Sequence, residues 1–384
     1  MLRSEQIVSP HDLAVMIANP HTLAGALETM PPTPGLRIIT TQELTRANLR
    51  LRPDLKVCIT ADPELDQVRS LLEDESRLSA IRNLKDKFAF RQLLSSIYPD
   101  LKFRRIRLRE LPFEVLGNDT KYVLKPVKGC FGIGVRTITR DMDLTRVVDE
   151  VQGELLRNSA LLPESALSQD GFLIETFIEG EEYAVDMFYD QRGQPTITNI
   201  YHHPMPRNKA YLHLLYYSSR DVFERIYQPA KDFFKLLNAR LNVRMFPIHA
   251  EFRLHQGRLV PIELNPFRFG GMGLANLGFY SLGLNAYQCF VEDREPDWAQ
   301  VWRDKSDVAY GFFIAYNGTH IDVTTHKPDW PRLRRLFSRI LFQVPFDYQK
   351  QPVFGVVYVA ETRARIFELL NTEFNDYFMP LNDT

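Results

Sequence analysis

Two periods of apolar spacing alternate along this chain, and each change of period marks an element. Short apolar runs at Leu36–Thr40 and Val57–Thr60 read as strands among helical stretches, the mixture of a small α/β unit. From Glu64 to Ile97, leucines recur at helical spacing among Lys, Glu and Arg, and the pattern stops at Pro99-Asp100. Strand candidates follow at Lys102–Arg107, Tyr122–Pro126, Val135–Ile138, Phe172–Ile178, Tyr183–Tyr189 and Thr196–Tyr201. One helix, Leu144 to Asn158, interrupts them, and a second is predicted over Asp221–Leu241. Ile248–Leu254 and Leu259–Asn265 then flank a polar turn. Strands at Gly311–Tyr316 and Val353–Ala360 and a helix from Glu361 to Tyr377 are predicted to close the chain, and no internal repeat is visible.

Composition narrows the classes. With 384 residues, two or three packed units are expected. Hydrophobic residues at 45% and charged residues at 25% are ordinary for a soluble globular protein. The net charge of -1 excludes a nucleic-acid binder that works by bulk phosphate neutralisation, while leaving room for a local basic pocket. Cys58, Cys130 and Cys289 are scattered and odd in number, so they form neither a disulfide framework nor a metal knuckle. The first twenty residues carry charges and a proline where a signal peptide needs an apolar stretch, and no apolar run is long enough to span a bilayer. The expectation is a soluble cytoplasmic protein, with no membrane and no nucleic-acid partner.

Three constellations carry chemistry. In Lys125-Pro-Val-Lys128-Gly129-Cys-Phe-Gly132-Ile-Gly134-Val135, a strand delivers a lysine, a loop with three glycines follows and a second strand begins. Glycines let backbone N–H groups turn toward an anion, and the two lysines add positive charge. The spacing is neither a Walker loop nor a dinucleotide GxGxxG. Taken alone, it reads equally as a flexible hairpin with solvated lysines.

In the second, Phe172-Leu-Ile-Glu175-Thr-Phe-Ile-Glu-Gly180-Glu-Glu182, an apolar strand ends in acids. Strand-ending backbone can meet a purine edge, and a carboxylate can accept ribose hydroxyls. Glu175 and Glu182 are placed for such roles, although an exposed Glu-rich turn fits as well. In the third, His249-Ala-Glu251-Phe-Arg253 and Ile262-Glu263-Leu-Asn265, alternation puts His249, Glu251 and Arg253 on one face and pairs Glu263 with Asn265. Two carboxylates and an amide oxygen are hard donors of the kind magnesium prefers. Glu251 and Glu263 face together only if the turn between them has an odd number of residues, such as Gln256–Arg258 or His255–Leu259. The stretch Pro266–Gly273, with Arg268 and three glycines, reads as backbone fitted around a ligand.

In order and spacing these stretches resemble the ATP-grasp superfamily, over about Lys87 to Gly273. The resemblance implies an α+β / α/β chain: an ATP-grasp fold with an N-terminal α/β domain and a C-terminal α+β extension. The expected divisions are 1–85 for the N-terminal domain, 86–190 for the small lobe with its lid loop, 191–295 for the large lobe with the metal hairpin, and 296–384 for the extension. By resemblance, Lys87 and Lys125 hold ATP phosphates and the loop Gly129–Gly134, with Lys128, Gly132 and Gly134, is the lid. Glu175, Thr176, Phe177 and Ile178 read adenine, and Glu182 binds ribose. Glu251, Glu263 and Asn265 hold Mg2+. Two departures stand out: Phe267 splits the family's Asn-Pro-Arg before Arg268, and Asn242–Pro247 lacks the family's usual glycine.

The chemistry implied is ligation. A carboxylate takes the γ-phosphate of ATP to give an acyl phosphate and ADP, an amine displaces phosphate, and Lys125 and Arg268 stabilise developing charge. The expected substrates are amino acids or small peptides, and a homodimer is compatible with the resemblance. The rival readings are a biotin carboxylase-like enzyme and a regulatory ATP-binding protein without turnover. The segment Tyr201–Arg220 is the candidate for substrate specificity; its His202-His203 pair must point to opposite faces and so cannot jointly hold a metal.

Overall fold

Ala14–Ala18 is five apolar residues without exposed surface, and it forms the middle strand, β1, of a small parallel sheet. Its partners on either side are β2 (Leu36–Thr40) and β3 (Lys56–Ile59). β1 escaped the sequence reading because a strand covered on both faces shows no alternation. The computed structural model describes residues 12–19, 25, 27–46, 51–129, 132–158, 168, 170–205, 213–305 and 307–381. Cys130 and Phe131 of the predicted lid, and 206–212 of the predicted specificity segment, lie outside them.

The long helical stretch predicted from Glu64 to Ile97 is broken by two aspartates. Asp74 caps Glu75–Lys85, and Asp86 caps Lys87–Leu94 by accepting from the N–H groups of Phe88 (2.9 Å) and Ala89 (3.0 Å). The extended backbone at Asp86 restarts the helix at Lys87, whose own N–H donates to the Val127 carbonyl at 2.8 Å. That break gives Lys87 its direction.

Two antiparallel sheets follow. The first, in spatial order β4-β7-β5-β6, contains β4 (Phe103–Arg107), β5 (Tyr122–Pro126), β6 (Arg136–Ile138) and β7 (Gly171–Thr176). Helix Leu144–Asn158 buries Val147, Val151 and Leu155 in a core shared with Leu124, Phe172 and Ile174. The second sheet has eight strands in the order β12-β11-β8-β9-β10-β13-β16-β15. Its members are β8 (Glu181–Tyr189), β9 (Pro195–His203), β10 (Leu215–Ser218), β11 (Phe246–His255), β12 (Arg258–Pro266), β13 (Ala309–Tyr316), β15 (Ile340–Pro345) and β16 (Val353–Glu361). Helix Arg220–Leu241 buries Ile226, Phe233, Phe234 and Leu237, and Phe233 and Phe234 meet Phe252 of β11 edge to face. The short strand β14 (His326–Pro328) pairs with β17 (Phe378–Pro380). The predicted closing helix is shorter than expected, Arg363–Leu369, followed by a single turn at Phe374–Tyr377.

The turn between β11 and β12 corrects the expectation of an odd-numbered loop. His255 pairs with Arg258, leaving a two-residue turn, Gln256-Gly257, with φ of +50° and +76°. Positive φ at both positions is the hairpin turn whose twist matches its strands. An unbroken ladder from that turn would put Glu251 and Glu263 on opposite faces. A β-bulge prevents this: Phe252 pairs with Pro261, but Glu251 pairs with Glu263, so Ile262 is the extra residue. The bulge does the work expected of an odd loop.

Candidate functional site

On one face of the β11–β12 hairpin, Glu251 lies directly across from Glu263 and His249 across from Asn265. Burial, with Glu263 and Glu182 adding like charge, pushes the Glu251 carboxyl up to about 8. Burial acts on Glu263 in the same sense, but Lys87 and Lys85 outweigh it and hold that carboxyl below its ordinary range. Lys87 Nζ stands 3.1 Å from Glu263 Oε1 and donates to the Gly129 carbonyl at 3.0 Å. Two facing carboxylates, one of them pushed up by burial and by the like charge opposite, suit a hard divalent cation, and the Asn265 amide oxygen adds a third oxygen of the same kind. Among the described residues no group of three or more His, Cys, Asp or Glu is placed to hold a metal.

The small sheet supplies the next layer. Lys125 Nζ lies 2.6 Å from Glu175 Oε1, and the Arg91 guanidinium grips the same carboxylate through Nε and through Nη2 at 3.1 Å. All three side chains are buried. Burial raises the Glu175 carboxyl, but Arg91 and Lys125 overcome it and hold it down to about 2. Burial lowers the Lys125 ammonium, and Arg91 and Lys87 push the same way against Glu175. Two cations share one carboxylate, and the surplus positive charge is what a phosphate would neutralise. Thus Glu175, expected at the adenine edge, has its carboxylate committed to Lys125. The N–H groups of Thr176 and Phe177 are also committed, to the carbonyls of Lys102 (3.0 Å) and Lys121 (2.9 Å).

Glu182 keeps a position on the site face. His203 Nδ1 meets its Oε1 at 2.8 Å, and Arg253 Nη2 its Oε2 at 3.3 Å. Arg253 also donates to the Ile178 carbonyl at 3.1 Å and lies over the Phe177 ring at 4.9 Å, tying the segment between β7 and β8 to β11. Gly180, with φ of +129°, lets that segment pass against the Leu254 carbonyl, where any side chain would collide. Within the predicted specificity segment, His202 and His203 do point apart. His202 Nδ1 meets Tyr217 OH at 2.9 Å, whereas the His203 ring stacks on Tyr216 and on His213, at 4.1 and 5.1 Å between centroids, and those two rings meet each other through Tyr216 OH and His213 Nδ1 at 2.7 Å. Burial holds His213 down to about 4, so it is a neutral ring near Glu182 and Glu263. In this segment, residues 201–203 end β9 and Leu215–Ser218 form β10.

The inserted Phe267 is accommodated by a left-handed backbone, φ +64°, unusual for an aromatic residue. Its ring is fully buried, 4.7 Å from Phe246, its N–H donates to the Pro247 carbonyl and its carbonyl accepts from Ile59 N–H. The kink carries Arg268 to Asp62, with 2.9 Å between Arg268 Nε and Asp62 Oδ1. Two of the glycines after it are closely approached by the protein itself. A side chain at Gly273 would strike Thr29 and Tyr358, and the Gly270 N–H donates to Asp186 Oδ1 at 2.8 Å.

Asp186 was missed by the sequence reading, though it left a signal: it is the lone charge inside the apolar strand Tyr183–Tyr189. It also accepts from His249 Nδ1 at 2.7 Å and from Tyr201 OH at 2.9 Å, with no exposed surface. Asp186→Asn places an amide donor among three donors, so it is expected to cost about 1–3 kcal/mol. A urea midpoint equal to wild type would show that this network is not structural. Lys85, Asp62 and Arg91 were also missed; nothing in their local sequence separates them from surface charges.

A lysine-lined small sheet facing a carboxylate hairpin on a large sheet is the ATP-grasp arrangement, and residues 119–276 match the family model of the ATP-grasp domain. The chain has the ATP-grasp fold. It is similar to the L-amino acid ligase from Bacillus licheniformis, at 16% identity and a TM-score of 0.65, covering 98% of this chain and 100% of that one. It is also similar to biotin carboxylase from Campylobacter jejuni, at 10% identity and TM-score 0.58 over 96% and 92% of the two chains. The N5-carboxyaminoimidazole synthase from Aspergillus clavatus, in complex with ADP and 5-aminoimidazole ribonucleotide, aligns at 14% identity and TM-score 0.58 over 94% and 98%. No curated protein matches the chain. Among the described residues, no helix is long and apolar enough to cross a membrane.

Proposed function

We propose that this protein is an ATP-dependent carboxylate–amine ligase that forms ADP, acting on amino acids or small peptides. The observation that carries the reading is the Glu251–Glu263 pair, brought face to face by the bulge at Ile262 with Asn265 beside it. Glu251, Glu263 and Asn265 would hold Mg2+, which supplies charge neutralisation and orientation of phosphate oxygens. Lys87 and Lys125 bind phosphate oxygens, the latter aimed by Glu175. Lys128 and the glycines 129, 132 and 134 close over them. The Phe177–Ile178 end of the Glu175–Ile178 stretch and Glu182 take the adenosine, the Glu175 carboxylate being held by Lys125 and Arg91 and Glu182 oriented by His203 and Arg253. A substrate carboxylate oxygen attacks the γ-phosphorus as the bond to the β-phosphate oxygen breaks, releasing ADP. The amine then attacks the acyl carbon and phosphate leaves, with Arg268 stabilising charge on the transferred group.

We further propose that the working lobes divide near Gly180, because β8 pairs into the large sheet, and that β13, β15 and β16 extend that sheet. The buried free thiols of Cys58 and Cys289 support a cytoplasmic setting. Small-molecule acid and amine are the partners, and a homodimer is the assembly that sedimentation should look for.

Hydroxylamine with Mg2+, ATP and a panel of amino acids and other acids tests the reaction. A hydroxamate and ADP are expected with the right acid, before any amine is supplied. AMP and pyrophosphate would refute the acyl-phosphate route, and turnover only with bicarbonate would favour carboxylation instead. Lys125→Ala is expected to weaken ATP binding by about 1.5–3 kcal/mol through loss of a charge-assisted phosphate contact. Unchanged affinity in calorimetry would remove Lys125 from the site.

A further inference from the structure

Asp62 belongs to the N-terminal α/β unit, just past the C-terminal end of β3 and outside the segment that matches the ATP-grasp domain. Its two oxygens serve different cations: Oδ2 lies 2.8 Å from Lys85 Nζ, and Oδ1 lies 2.9 Å from Arg268 Nε. Lys85 Nζ stands 3.4 Å from Asn265 Oδ1 as well, and Arg268 Nη1 donates to the Phe269 carbonyl at 3.3 Å. The strand that presents Asp62 is fastened to the same loop, because Ile59 N–H donates to the Phe267 carbonyl at 2.7 Å.

We propose that Asp62 is a positioning residue that holds Lys85 and Arg268 toward the terminal phosphate of the nucleotide, so that the N-terminal unit completes the phosphate end of the site. This rests on the nucleotide-binding reading above. Lys85 touches Asn265 and lies two residues from Lys87, which is bonded to Glu263. That places it at the end of the site where the metal donors stand, away from the adenosine end at Glu182. Lysine and arginine side chains left without a partner sample many rotamers, and one carboxylate shared between them removes that freedom before the phosphate arrives. Despite its burial, Lys85 and Arg268 hold Asp62 well below the usual carboxylate range, so the bridge is ionic at neutral pH. The opposite role, a carboxylate that occupies the phosphate position and must be displaced, predicts the opposite sign on removal.

The test compares calorimetric affinity for Mg2+·ADP with that for the Mg2+ complex of β,γ-imido-ATP, which differs by the terminal phosphate. Wild type is expected to bind the triphosphate analogue more tightly. Asp62→Asn should lower that affinity ratio about tenfold or more, the loss of charge-assisted contacts to one phosphate, while ADP affinity and stoichiometry hold. Asp62→Glu keeps the charge and adds a methylene, so it should fold as wild type and still lower the ratio; it decides the matter if the Asn variant does not fold. A ratio unchanged in both variants overturns the proposal, and a higher ratio overturns it in favour of the displaced carboxylate. Wild type that fails to bind ADP at all overturns the nucleotide reading itself, and this proposal with it.

Discussion

Glu251→Gln and Glu263→Gln are each expected to cut acid-dependent ADP release by roughly 10³-fold, yet to move the stability of the metal-free protein in opposite directions. Each removes the charge of a proposed magnesium donor at nearly constant volume, so the loss of turnover should be shared. Stability separates them because their surroundings differ. Glu263 is bonded to Lys87, and its loss leaves a mostly covered ammonium facing a neutral amide, a penalty of about 1–2 kcal/mol. Glu251 is the strained member, pushed up to about 8. Its folded value lies above the unfolded one, near 4.3, so the stability it carries is intact at low pH and lost as pH rises through about 8. Glu251→Gln should therefore match wild type near pH 4 and exceed it at pH 8, with no divalent cation present. Urea unfolding with a chelator at both pH values checks this. Equal destabilisation by both substitutions would mean that the two carboxylates do not repel, and the metal site would fail.

Glu175→Gln should produce the largest loss of stability, about 3–5 kcal/mol, because it leaves Lys125 and Arg91 buried without their shared counter-charge. The three side chains are each less than a tenth exposed, so solvent screens little of the effect. The sign with pH follows from a carboxyl held down to about 2. The stabilisation is present above the unfolded value near 4.3 and is lost as pH falls toward 2. Wild type and variant should thus differ at pH 7 and converge in acid. Added ATP should narrow the gap at pH 7, since its phosphates supply the missing negative charge. A variant as stable as wild type at pH 7 would show that Glu175 does not organise Lys125, and would return it to the adenine edge.

Much of the fold was legible because it is written in local patterns. Leu36–Thr40, Tyr122–Pro126 and the Leu144–Asn158 helix emerge with the boundaries their spacing predicts. The order of lysine, glycine loop, acidic strand end and carboxylate hairpin was enough to indicate the ATP-grasp fold. By itself, then, the sequence determined most element types, the order of the constellations and where along the chain lysines, glycines and carboxylates with the chemistry for phosphate or metal stand. Tertiary structure decided which of them meet. It turned Lys87 inward by breaking a helix at Asp86, and made Glu251 face Glu263 through a bulge that no alternation pattern announces. It assigned the Glu175 carboxylate to Lys125 and Arg91, and brought Asp62 across from a separate sheet to Lys85 and Arg268. The reason is common to all four. Periodicity reports which side of one element is apolar, whereas register shifts, caps and ion pairs between distant segments depend on what the rest of the chain places opposite. A buried charge shows only that some partner must exist, and folding selects which one.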